Sequence, residues 1–423
     1  MSEASQERRV ADPTERPMLD STTTQQEADP AVAPTQMSVQ VVEGHESFRR
    51  LKRDWQALEA RDPEMTVFLS WAWLDRAFRD NPGRWRVFVV RSAAERGAAV
   101  AIFPVMQRAR WNAAEGRLET GLVSAGRLIL SELTGLLLAP EHEVDALRAL
   151  ARALGARPWA DLTLLAETAP ARARRFAAAF DAGVFETLEP AEAPATRPVL
   201  ALPDSYESWL QTGPAPQFAQ RIRRFQRRFL GSGARRVFVG SEDTFARDAG
   251  IVLTPAQATW TEAHGASMTE RMVADGRAVL ANAQTSRSLF VLTLWEGERP
   301  LGGLAHVLDH EMDRVHVVQG GAVPGEEAAS IGVLLHAEAI RWAIEQGFAF
   351  YDFGRGAARY HHAFGARDRE TPALTIRRRQ GGEAATFDPS SLGDGLKALS
   401  GLLHKGQTEA ATAAADQLVR LVR

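Results

Sequence analysis

Residues 348–372 read FAFYDFGRGAARYHHAFGARDRETP, an apolar run that ends in Asp352, turns through Gly354-Arg355-Gly356 and enters a helix-like stretch. That stretch carries Tyr360, His361, His362 and Phe364. A carboxylate at the end of a strand can orient a bound amine or take its proton, and it also suits a turn acid bonding nearby amides. His316 and His306 fall in facing strands, where a histidine is either a base near neutral pH or a satisfied core residue. The candidate chemistry is proton transfer, with Asp352 and His316 as the groups that handle it.

A second set of residues suits an anion. Ser330, Ile331 and Gly332 open a helix, whose free N–H groups and positive dipole end attract a diphosphate or a tRNA phosphate. Ser330 also suits an ordinary N-cap. Arg355 and Arg359 flank the glycine turn and can add phosphate contacts. In PQFAQRIRRFQRRFLGSG, residues 216–233, an apolar stripe of Phe218, Ile222, Phe225 and Phe229 leaves Arg221, Arg223, Arg224, Arg227 and Arg228 as a basic ridge. Arg221, Arg224 and Arg228 are its candidate contacts to RNA, a nucleotide or an acidic glycan, and a solvated face is the alternative. No metal site is expected. His310 and Glu311 match no zinc spacing, and the adjacent His361 and His362 point about 100° apart on a helix.

These groups need a scaffold, and 423 residues suffice for two cores plus tails. There is no cysteine, which excludes disulfides, thiolate nucleophiles and sulfur-ligated zinc. A net charge of −3 predicts no global attraction to DNA or anionic membrane, so any anion site is local. The first 37 residues are polar and almost free of aromatics, which predicts a disordered tail without a secretory core. No apolar run is long enough for a membrane span, and a soluble cytoplasmic protein is expected.

From Ser38 the periodicities alternate. VQVV reads as a strand, SFRRLKRDWQALEARD and TVFLSWAWLDRAFRDN as helices, and RWRVFVVR with GAAVAIFPVM as a strand pair. Helix, strand, helix and strand follow in EVDALRALARALGAR, WADLTLLAE, ARARRFAAAFDAG and VFETLE. Pro-rich EPAEAPATRPVLALPDS predicts a linker, with a boundary at about Leu200. The second half reads as the basic helix, a strand RRVFVG, two helical segments, a three-stranded meander over 287–322, a crossover helix and the strand FAFYDFG. Amphipathic pieces after Gly381 suit docking on the body or on a partner.

VFLSWAWLDRAF, LWEGERPLGGLAHVLDHEMDRVHVVQGGA and SIGVLLHAEAIRWAIEQGFAFYDFGRGAARYHHAFGA occur in an order that resembles the CelD/BioF2-like branch of the GNAT acyltransferases, related to the Fem-type aminoacyltransferases. His361 stands where that branch commonly has lysine, and AVPGEEAASIG lacks the usual spacing of the acetyl-CoA loop. The resemblance implies a mixed α/β (α+β) fold of tandem GNAT-like units, each a mostly antiparallel sheet flanked by helices. The expected units are a tail over 1–37, a degenerate or substrate-binding unit over 38–200, a catalytic unit over 201–380 and a helical tail over 381–423. It further implies Tyr360 as a phenol near the leaving group, to which it would donate a proton. The expected function is N-acyl transfer from acyl-CoA, acetyl-CoA foremost, to an amine on a small molecule, amino sugar or cell-envelope precursor. A Fem-like transferase using aminoacyl-tRNA and a non-catalytic binding or scaffold protein are the alternatives.

Overall fold

In the computed structural model of the chain, residues 36–129, 131–189, 195–354, 359–371 and 373–422 are described. The expected N-terminal tail lies outside them up to residue 35, as do Arg355 and the Arg359 side chain. The architecture is mixed α/β, with two mostly antiparallel sheets flanked by helices, as expected.

The first sheet contains β1 (Met37–Val42), β2 (Trp85–Ser92), β3 (Ala98–Asn112), β4 (Arg117–Ser124), β5 (Leu137–Leu138), β6 (Asp161–Leu165) and β7 (Phe185–Leu188). The second contains β8 (Ala195–Ala201), β9 (Arg235–Val239), β10 (Leu289–Glu296), β11 (Arg299–Asp309), β12 (Arg314–Ala322), β13 (Phe350–Asp352) and β14 (Arg367–Thr371). The last strand, β15 (Ala373–Arg378), returns to the first sheet and lies between β6 and β7. In the second sheet the order is β14-β8-β13-β12-β11-β10-β9. Each sheet has its own core. Phe48, Trp55, Phe78 and Trp85 anchor the first, while Trp209, Phe225, Phe229 and the helix Ala328–Glu345 fill the second.

Several sequence expectations are refined. The helix expected over 47–62 is two helices, His45–Arg50 and Lys52–Glu59, that meet at Leu51. The helix expected from Thr66 begins as a 3-10 turn, Val67–Leu69, and Ser70 then caps Trp71–Asp80 by accepting from the Trp73 N–H. The expected linker contains β8. Pro198 reads as a strand breaker in sequence, yet its carbonyl accepts from the Phe353 N–H at 3.0 Å, and the strand gains partners on both sides from β13 and β14.

The helix expected after the glycine turn is the 3-10 stretch Arg359–Phe364. The tail docks on the body: Gln417 bonds the Leu118 backbone N–H and carbonyl at 2.7 and 2.9 Å. Among the described residues, no helix is long and apolar enough to cross a membrane.

Candidate active site

The strands β12 and β13 run parallel but pair over only three positions, Arg314 with Phe350, Val315 with Tyr351 and His316 with Asp352. Beyond them β12 continues to Ala322, whereas the partner chain leaves at Gly354. Gly354 has φ +81°, and a Cβ there would lie 2.9 Å from the Val317 carbonyl, so only glycine lets the backbones pass this closely. Beyond His316 and Asp352 the two strands no longer pair, and among the described residues no strand pairs with β12 on that side.

At the point of divergence lies a buried ionic cluster. Asp352, His316 and Asp309 have no exposed surface, and Arg197 is 1% exposed. Arg197 Nε donates to Asp352 at 3.0 Å, and its Nη1 donates to Glu132 at 2.6 Å. The Gly354 N–H donates to the other Asp352 oxygen at 2.9 Å. Burial alone would raise the Asp352 pKa, but His316, Arg197 and the Gly354 amide together hold it well below the usual carboxylate range. Asp352 is thus a fixed anion.

The His316 nitrogens face Asp352 at 3.4 Å and Asp309 at 3.6 Å, positioned for charge contact rather than a hydrogen bond. Neither ring nitrogen makes a hydrogen bond. Thr66 donates to Asp309, and the Phe68 ring packs edge-on against His316 with centres 5.1 Å apart. The segment TVFLSW of the first half thus closes over the second half's strand end.

Next to this cluster is a cavity of about 180 Å³. Phe68, Trp73, Trp260, Val279, Leu280 and Val318 give it apolar walls, and Glu132, Asp275 and Gln319 supply its polar groups. Trp73 is held by its indole N–H, which donates to Ser131 at 2.9 Å. Elements from both halves therefore shape a pocket with apolar walls and two carboxylates.

On the opposite face of β13 lies a second set, of which the sequence names Tyr360 and His306 as candidates while His336 and Tyr351 went unread. Tyr360 is 42% exposed, and its hydroxyl lies 3.3 Å from His336 Nε2. His336 Nδ1 lies 3.0 Å from the Tyr351 hydroxyl, which lies 2.9 Å from His306 Nε2. Burial lowers the His306 pKa to about 3 and the His336 pKa well below the ordinary value, so both rings are neutral at physiological pH. His336 sits in the apolar run GVLLHAEAIRWAI, and its place on the buried face is the one signal the sequence offers. His361, stacked on Phe353 at 4.6 Å, has its pKa pushed down to about 4 by burial and by His362.

The helix Ala328–Glu345 starts two residues before Ser330, with Glu327 at the N-cap. Ser330 and Gly332 are therefore in its first turns and Ile331 is buried; Ser330 is not the capping residue. Glu327 is held by Arg228 at 2.9 Å and Arg235 at 3.0 Å, which joins the basic ridge to the helix start. Arg221 and Arg224 are exposed and lie against the Phe225 ring at 5.1 and 5.9 Å. Among the described residues Glu95, Glu141 and His142 bring metal-capable atoms together, but Arg61 bonds both carboxylates.

The acetyltransferase (GNAT) domain family model matches residues 216–362. No curated protein sequence matches the chain. Among solved structures, FemX is similar at a TM-score of 0.49 and 9% identity, over 77% of this chain and 95% of that one. A tandem GNAT protein from the clavulanic acid biosynthesis pathway gives 0.44 and 11%, over 82% and 100%. L-PGS from Bacillus licheniformis gives 0.44 and 9%, over 78% and 91%. Residues 216–362, which contain β9 to β13, the diverging strands and Tyr360, belong by the family match to the GNAT superfamily of acyltransferases.

Proposed function

We propose that the chain is a cytoplasmic N-acyltransferase that moves an acyl group from acyl-CoA, acetyl-CoA being the simplest donor, to the amine of a small molecule, amino sugar or cell-envelope precursor. The observation that carries this reading is the divergence of β12 from β13 at a buried His316–Asp352 pair beside a two-carboxylate pocket. The edge of β12 beyond His316, unpaired among the described residues, suits the extended, amide-bearing arm of the donor, by the hydrogen bonding that adds a strand to a sheet edge. The helix start at Ala328 with Arg228 and Arg235 suits its phosphates, once Glu327 yields its two arginines to them. Acyl-CoA supplies a thioester carbon.

The chain's residues supply the rest. Glu132 and Asp275 attract the positively charged amine into the pocket, where Trp73, Trp260 and Phe68 cover its carbon body. His316, held between Asp352 and Asp309, takes the proton as the amine nitrogen bonds to the acyl carbon. Asp352 and Asp309 orient its ring. The carbon–sulfur bond breaks, and the thiolate takes the second proton of the amine nitrogen to leave as free thiol. Placement in the CelD/BioF2-like branch rests on the quoted motifs. The exposed Arg221 and Arg224 support a second reading, in which the donor is an aminoacyl-tRNA.

Thermal unfolding with acetyl-CoA, longer acyl-CoAs, free CoA and bulk deacylated tRNA, at low and high salt, tests both. Binding to the native state raises the midpoint. A salt-tolerant rise with an acyl-CoA, followed by mass-spectrometric detection of acylated amine, is the expected result. A salt-sensitive rise with tRNA alone would replace the first reading by the second, and no rise with any ligand would leave a binding or scaffold protein.

A further inference from the structure

Four side chains on the helix face of the second sheet form one continuous chain of polar atoms, from half-exposed Tyr360 through His336 and Tyr351 to His306. Its inner end is closed by a backbone carbonyl: His306 Nδ1 lies 3.3 Å from the Phe290 oxygen. A carbonyl only accepts, so His306 carries its hydrogen on Nδ1 and offers a lone pair on Nε2. Tyr351 has a single hydroxyl hydrogen and must donate it to that lone pair. Its oxygen then accepts from His336 Nδ1–H, which leaves His336 Nε2 as an acceptor, and Tyr360 donates to it.

Each link has one arrangement once the last one is set, and neutral imidazoles are what complete burial favours. The chain thus has a direction, with every hydrogen pointing inward.

We infer that His306, Tyr351 and His336 orient the Tyr360 hydroxyl so that its hydrogen is committed inward and its half-exposed oxygen is presented outward as an acceptor for an N–H group. This rests on the acyl-transfer reading for the identity of the reactants and for their reaching this face of β13. The N–H belongs either to the amine being acylated or to an amide of the donor's arm. In either case Tyr360 binds and aligns a reactant; it does not protonate the leaving sulfur. His336, Tyr351 and His306 are positioning residues that act through it.

The test has one arm that needs no activity. In the full-length protein labelled with 15N-histidine, with signals assigned by His306→Gln and His336→Gln, long-range 1H–15N correlation reads which ring nitrogen holds the proton. The expected result is neutral rings with the hydrogen on Nδ1 in both His306 and His336, the form less populated by free histidine in water. Tyr351→Phe keeps the packing but removes the link, and it should release His336 from that tautomer. A hydrogen on His336 Nε2, or a mixture in the wild type, would overturn the inference.

The kinetic arm uses the acyl-CoA and amine that give turnover. Tyr360→Phe should raise KM for one of them about tenfold, the loss of about one hydrogen bond, with little change in kcat. A raised amine KM identifies the amine as the N–H source, and a raised donor KM identifies the donor's amide. A fall in kcat at unchanged KM values is the signature of a proton donor to sulfur and would overturn the inference. If no pair of reactants turns over, the acyl-transfer reading fails while the tautomer result still decides the direction of the chain.

Discussion

Arg197 reaches Asp352 from 155 residues earlier in the chain, and the two are buried together. Replacing Asp352 by Asn would leave Arg197 and the nearby Arg314 buried with much of their compensating charge removed. Loss of one partner from a buried ion pair costs about 3–5 kcal/mol. Asp352→Asn should therefore lower the unfolding midpoint by several degrees as well as reduce turnover, and an unchanged midpoint in thermal denaturation would show that the pair is not buried as described.

A second residue-scale expectation concerns Glu167. Burial, only partly opposed by hydrogen bonds from Ser124 and Thr134, pushes its pKa from the ordinary 4.5 up to about 7. The folded protein holds a proton on Glu167 that the unfolded chain releases, so this group's contribution to stability falls as pH rises from about 4.5 to 7. That contribution amounts to roughly 3 kcal/mol; because buried, neutral His306, His336 and His361 act in the opposite sense, it is read as the stability difference between wild type and Glu167→Gln in urea, which should shrink by that amount across the range. Asp352 and His316 were legible in sequence because a strand-ending acid and an alternating strand are local patterns. Arg197, Thr66, Asp309 and Glu132 were not, because only the tertiary fold brings them to the same point.

Among the elements, the basic helix, the meander and the crossover helix follow from apolar spacing that the sequence displays openly. β8 did not, since a proline and flanking polar residues imitate a linker while the strand's partners lie more than 140 residues away. β14, with the sequence RDRET, has no alternating apolar face and is held by its backbone pairing to β8. The divergence of β12 and β13 depends on Gly354, where both positive φ and the Val317 carbonyl exclude a side chain. Gly354→Ala should cost about 1–3 kcal/mol and weaken donor binding together with stability. A variant as stable as the wild type, measured by chemical denaturation, would mean that the strands can part without this turn.

Across the molecule, the two sheets exchange chain. β8 follows the first sheet in sequence and joins the second, and β15 follows the second and joins the first between β6 and β7. The sequence plan of two successive units over 38–200 and 201–380 is a proposal about folding units, and the strand order tells how to test it. A fragment ending near Leu188 would keep β6 and β7 but lose the strand that bonds to both, leaving two facing rows of unsatisfied backbone groups. Size-exclusion chromatography should find that fragment self-associated, and a monomeric, cooperatively folding fragment would show that the first unit stands alone. The same vacancy makes the chain a natural split reporter. A peptide spanning residues 373–379, added in trans, should complement the fragment much as a missing tooth completes a zip, so that the first sheet's closure becomes a signal that the second half has been synthesised.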